Sequence, residues 1–141
     1  GMYATADGGK TWEQWTDLQH EIGGYPDLLV QHPRQPQQMF VASARKGPGA
    51  WFQEHYAGSR ISMSTDGGRT WQAVRQGFPD RLRTAFEAMC LEDWGDSFSL
   101  LAATATGEVW CSDDGGEHWA EVISGVAPIS KGNHYAAFAT A

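Results

Sequence analysis

An eight-residue motif occurs three times in the chain, and this recurrence limits the possible folds more than any other feature. Thr5-Ala6-Asp7-Gly8-Gly9-Lys10-Thr11-Trp12 returns as Ser64-Thr65-Asp66-Gly67-Gly68-Arg69-Thr70-Trp71. It appears again as Ser112-Asp113-Asp114-Gly115-Gly116-Glu117-His118-Trp119. The aspartates stand at 7, 66 and 114, spacings of 59 and 48 residues, which suit a unit of four short strands. Asp-Gly-Gly between extended segments signals a hairpin, because glycine adopts φ > 0 without steric cost. The aspartate can accept bonds from the turn's own backbone, and the tryptophan can cover it. Asp7, Gly9 and Trp12, Asp66, Gly68 and Trp71, and Asp114, Gly116 and Trp119 are therefore assigned to folding. A calcium loop would need alternating oxygen ligands and a closing Glu, which the motif lacks, so no metal is assigned.

Composition agrees. Across 141 residues, 17 glycines, 6 prolines and 7 tryptophans suggest many tight turns beside large aromatics, as in an all-β chain. The formal net charge of −7 argues against nucleic acid or an anionic membrane as partner. No apolar run approaches the roughly 20 residues that span a bilayer. No basic-then-apolar leader pattern is visible, which favours a cytoplasmic setting. Cys90 and Cys111 are expected to be small buried side chains. His20, His32, His55, His118 and His134 lack the paired spacing of a zinc site.

The motif resembles the Asp-box, or BNR, repeat (Ser/Thr-x-Asp-x-Gly-x-Thr-Trp) of sialidase-like and related β-propellers. Two copies match at each defined position, and the third carries His118 in place of Thr. Val30-Gln31-His32-Pro33-Arg34 and the stretch from Arg83 to Met89 are similar to the last blades of bacterial BNR-repeat and sialidase-like glycosidase homologues. The resemblance implies an all-β fold of β-propeller blades. Its wider group includes sialidases, xyloglucan-cleaving glycosidases, photosystem assembly factors and sorting receptors, so it implies a fold more than an activity.

In such blades the Asp-box joins the third and fourth strands. Residues 1–16 then form a partial blade with strands at 2–5 and 11–16. Residues 25–75 form a blade with strands at 27–32, 38–44, 60–64 and 70–74. Residues 84–123 form another, with strands at 85–91, 98–104, 108–112 and 118–123. An extended segment at 135–140, within 134–141, is expected to complete a neighbouring blade. Propellers close with about four to eight blades. This layout therefore needs a homo-oligomer (a dimer is favoured), a longer parent chain, or an irregular stand-alone arrangement. Cys90 and Cys111 fall on the first and third strands of one blade. Two strand spacings of about 4.8 Å exceed the roughly 7 Å limit for a disulfide, so both thiols are expected free.

Antiparallel strands alternate their connections between the two ends of the blades. Residues 17–24, 45–59, 76–84, 105–107 and 124–134 share the end opposite the Asp-boxes, where the resembled sialidases bind substrate. Segment 45–59 is long for a loop and rich in aromatic and charged groups, a composition suited to sugar binding. Arg45, Trp51, His55 and Tyr56, with Arg81 and Arg83 from the next loop, are the ligand-binding candidates. Glycoside hydrolysis needs two carboxyl groups, and Glu54 with Asp17, Glu21 or Asp80 could supply them. No residue matches the sequence context of a sialidase arginine triad or Tyr–Glu nucleophile pair. The reading is thus a non-catalytic binding or scaffold module for carbohydrate or protein, without cofactor. The alternative is a sialidase-like glycoside hydrolase.

Overall fold

The computed structural model describes residues 1–139, which form three antiparallel sheets. The first pairs β1 (Tyr3–Ala4) with β2 (Glu13–Gln14). The second runs β3 (Tyr25–Gln31), β4 (Met39–Ala44), β5 (Arg60–Ser64) and β6 (Gln72–Ala73) in sequential order. A seven-residue helix, α1 (Pro48–Glu54), interrupts the β4–β5 connection. The third sheet orders β7 (Phe86–Asp93), β8 (Phe98–Thr104), β9 (Val109–Ser112) and β10 (Ala120–Ile123) as a second meander. These are blade-like units, and the described residues make no closed ring.

β4 shows how the blades stack. It is buried along its whole length, so it can be apolar or small at each position instead of alternating. Phe40 and Ala42 face the third sheet, where they join Ile61, Val74, Phe86, Phe98, Leu100, Ala102, Trp110 and Trp119. Met39 and Val41 point the other way, into a smaller cluster with Ile22 and Trp71 against which Met2 and Trp15 pack. β8 has only one covered face: Phe98, Leu100, Ala102 and Thr104 are buried, and the residues between them are half-exposed. The first sheet covers the second incompletely, leaving Leu29 of β3 53% exposed.

Two expectations are corrected. Segment 45–59 is not an open loop: Pro48 opens a helix, where its missing N–H costs nothing. Nor is 135–140 a strand, as far as it is described. His134–Ala137 form a 3-10 turn that brings Ala137 and Phe138 beside Trp51. Thr140 lies outside the described residues. The cysteines are free, as expected, with β8 between them, but Cys90 is exposed and Cys111 half-buried. They sit on the uncovered face of the third sheet, in register with Leu101.

Candidate functional site

The two ends of the blades are built differently. At one end the three Asp-boxes close on themselves. In the second, the Ser64 hydroxyl donates to Asp66 Oδ1 at 2.8 Å and accepts the Gly68 N–H at 2.9 Å. Thr70 donates its N–H to Oδ1 and its hydroxyl to Oδ2, at 2.9 and 2.6 Å. Trp71 Nε1 donates to the Gly68 carbonyl at 3.1 Å, laying the indole over the turn. The first box repeats this set with Thr5, Asp7, Gly9, Thr11 and Trp12. The third repeats it with Ser112, Asp114, Gly116 and Trp119, and there the His118 Nδ1–H replaces the threonine hydroxyl on Asp114 Oδ2, at 2.6 Å.

These donors favour the charged carboxylates. The Thr11 N–H, then the Thr11 and Thr5 hydroxyls, hold Asp7 down at about 2. The hydroxyl and N–H of Thr70, with Ser64, do the same for Asp66, also about 2. Burial pushes Asp114 up, but bonds from His118 and Ser112 outweigh it and leave the carboxyl lowered. Asp114, Glu117 and His118 each place one ligand atom within 4.8 Å of the others, the grouping best placed to hold a metal among the described residues. All three are exposed, and the Asp114–His118 bond is already part of the turn.

At the opposite end the loops are held by contacts between distant residues. Trp51 of α1 is the hub, 1% exposed. Its Nε1 donates to the Lys46 carbonyl at 2.6 Å, and its ring meets Tyr25 and His134 edge-on at 5.7 and 5.3 Å. It therefore cannot stack on a ligand, which corrects the expectation for this residue. His55 ends α1 in the left-handed region, φ 50°, where its N–H bonds the Trp51 carbonyl. Its Nδ1–H reaches the Ala137 carbonyl at 2.8 Å. Arg83 Nε donates to the His55 carbonyl and Arg81 Nη1 to that of Gly58, at 3.0 and 2.6 Å. Tyr56 is half-buried in the same connection.

Of the four carboxylates singled out from sequence, three are engaged, each by a different partner. Glu54 pairs with Lys46 Nζ at 2.5 Å, and Asp80 with Arg75 at 3.3 Å. Asp17 accepts the Gln19 N–H at 2.8 Å, and Glu21 is exposed. The structure instead pairs functions at Asp27 and Glu87, which the sequence reading missed. Each is skipped by a register shift near the start of the first strand of its sheet, between Pro26 and Leu28 in β3 and between Phe86 and Ala88 in β7. Such bulges re-aim a side chain out of the ladder. Lys131 Nζ bonds Asp27, and the Lys131 N–H donates to Glu87 Oε2 at 2.7 Å. His134 Nδ1 meets Glu87 Oε1 at 2.9 Å, with the Glu87 side chain fully buried. An acid near the start of the first strand of each four-stranded sheet was the signal available.

Beside this assembly lies an open cleft of about 480 Å³. Leu18, Gln19 and His20 line one side, with Tyr25, Arg45, Lys46 and Arg81 across from the other loops. It brings together Arg45 and Arg81 from the sequence-derived set, adds Lys46 and Tyr25, and contains no carboxylate. Among the described residues no helix is long and apolar enough to cross a membrane.

With this geometry in view, comparison with protein families gives one match. No curated protein matches the chain. The BNR/Asp-box repeat family matches residues 63–73, which span the end of β5, the second Asp-box turn and β6. Residues 63–73 thus carry a BNR/Asp-box repeat, and the first and third turns make the same aspartate–backbone hydrogen bond as the matched one.

Proposed function

We propose that this chain is a non-catalytic binding module whose cleft at the loop end takes an anionic ligand, best an acidic carbohydrate. The supporting observation is the charge of the cleft. Its three charged lining residues are all cationic on a chain of net charge −7: Arg45 and Arg81, with Lys46, whose ammonium is paired with Glu54 outside the lining. A cationic concavity on an acidic surface attracts an anion and repels nothing that it must bind. Guanidinium groups match a carboxylate's two oxygens, and the Tyr25 ring offers a face edge for a sugar. The carboxylates that hydrolysis would need do not line the cleft, which favours binding over catalysis.

Titration with N-acetylneuraminic acid and D-glucuronic acid, followed by NMR shifts, tests this reading, with methyl β-D-glucopyranoside as neutral control. The acids are expected to bind with an affinity that falls as salt rises, and Arg45→Ala is expected to weaken it about tenfold. Equal response to the neutral glycoside, or none to either acid, would overturn it. Turnover of chromogenic glycosides, abolished by Glu54→Gln, would establish the hydrolase alternative instead.

A further inference from the structure

We infer that a second small-molecule site lies at the Asp-box end, between the second and third sheets, and that it takes a neutral polyhydroxylated ligand such as a saccharide end. A cleft of about 300 Å³ opens there, at the low end of small-molecule sites. His32, Gln35 and Gln38 from the β3–β4 turn form one wall, and Gly95, Asp96, Ser97 and Phe98 from the β7–β8 turn form the other. The third Asp-box closes the cleft with Asp114 and Gly115.

The cleft is prearranged. Arg34 grips Asp93 through two bonds of 2.5 Å each and also bonds the Gly95 carbonyl, tying the two turns together. Such a fork holds geometry as well as charge. His32 is 1% exposed, and its ring packs edge-on against Phe98 at 4.8 Å. Its orientation fixes its chemistry. Nδ1 accepts the N–H groups of both Arg34 and Gln35, at 3.1 and 3.2 Å, so this nitrogen carries no proton. Nε2 therefore carries the ring proton, and it makes no hydrogen bond within the described chain.

This tautomer opposes a metal, since ligation through Nε2 would move the ring proton to Nδ1, where the Arg34 and Gln35 N–H groups already point. No cation lines the cleft, so an anion has nothing to neutralise it. An ammonium could use the carboxylates but would leave the Nε2–H donor unanswered. A hydroxyl group does both: it accepts from Nε2–H or a glutamine amide and donates to Asp96, which is exposed at the rim. Asp114 has its oxygens committed to its own turn, so Asp96 is the acceptor that counts.

The test is a titration of the ¹⁵N-labelled protein with methyl α-D-mannopyranoside and methyl β-D-glucopyranoside. Saturable shifts are expected at Gly95, Ser97, Phe98 and the His32 ring, with millimolar affinity for at least one glycoside. Asp96→Ala and Gln35→Ala, both at exposed positions, are expected to weaken binding at least about fivefold while leaving the fold unchanged. Neither variant should alter the response of the cationic cleft to glucuronic acid. Absence of saturation up to about 50 mM, or saturation indifferent to both variants, would overturn the proposal. So would ring ¹⁵N shifts showing a proton on His32 Nδ1.

Discussion

The first Asp-box and the other two make the same hydrogen bonds but live in different surroundings. Trp12 is 62% exposed, whereas Trp71 and Trp119 are 5% and 4% exposed. All three indoles donate to the carbonyl of their box's second glycine, at 3.2, 3.1 and 3.0 Å. The difference comes from the sheet before each turn. A Cβ on Gly68 would fall 2.4 Å from Trp15, which follows the first sheet, and one on Gly116 would fall 2.4 Å from Phe40 of the second. One on Gly9 would meet only its own Trp12, at 3.9 Å. The turn therefore keeps its own hydrogen bonds whether or not it is covered, and blade stacking converts it into core. Three copies give a natural control for separating those two contributions.

The largest contrast is expected at the tryptophans. Trp119→Ala removes a buried ring packed against Phe78, and should cost about 3–5 kcal/mol in chemical denaturation. Trp12→Ala should stay within about 0.5 kcal/mol, as exposed substitutions do. Comparable losses at both positions would break the distinction. The loop end supplies a second reference of similar size. Glu87→Ala leaves His134 without its buried partner and should cost about 3–5 kcal/mol, with new protease cleavage within 124–139. Loss of stability without that cleavage would mean that Glu87 does not hold the terminal segment.

Glycine substitutions sharpen the comparison further. Gly9→Ala and Gly116→Ala force the same backbone, φ 89° and 91°, on alanine. Each should cost about 1–2 kcal/mol for that conformation, and Gly116→Ala should cost more because its methyl meets Phe40. Equal costs would show that the core yields freely there. The smallest contrast concerns pH. Asp7 and Asp66 are both held at about 2 against an ordinary 3.8, so each stabilises the folded chain above pH 3.8. That contribution fades as pH falls from 3.8 towards 2, because the unfolded chain then binds protons more readily. Acid melting of Asp7→Asn and Asp66→Asn should therefore flatten to the same degree, whatever the exposure of the neighbouring tryptophan. A pH response confined to Asp66 would tie the carboxylate's role to blade stacking.

The same division explains what could be read from sequence. Asp, Gly and Trp at fixed offsets specify a turn through contacts within eight residues, so the three boxes and the strands flanking them were visible in the string. The strands of the second and third sheets follow in the expected order. The loop end depends on partners far apart, such as His55 with Ala137 and Glu87 with His134, and no local pattern announces those pairs. For that reason α1 was read as loop and the segment after Tyr135 as strand, although Pro48 was the sign of a helix start. Arg45 and Arg81 could be assigned to one end of the blades from topology alone, and they line one cleft there. Trp51 could not be separated from them, because its burial is decided by Phe138 and Tyr25.

Replacing the tryptophans with 5-fluorotryptophan and recording the solvent isotope shift of each ¹⁹F resonance tests the stacking claim most directly. Single Trp-to-Phe variants assign the signals. The Trp12 resonance should move on exchange from H₂O to D₂O, while those of Trp71 and Trp119 should not. Equal shifts for all three would contradict the account, since the blades would then not be providing the cover that separates the first turn from its two repeats.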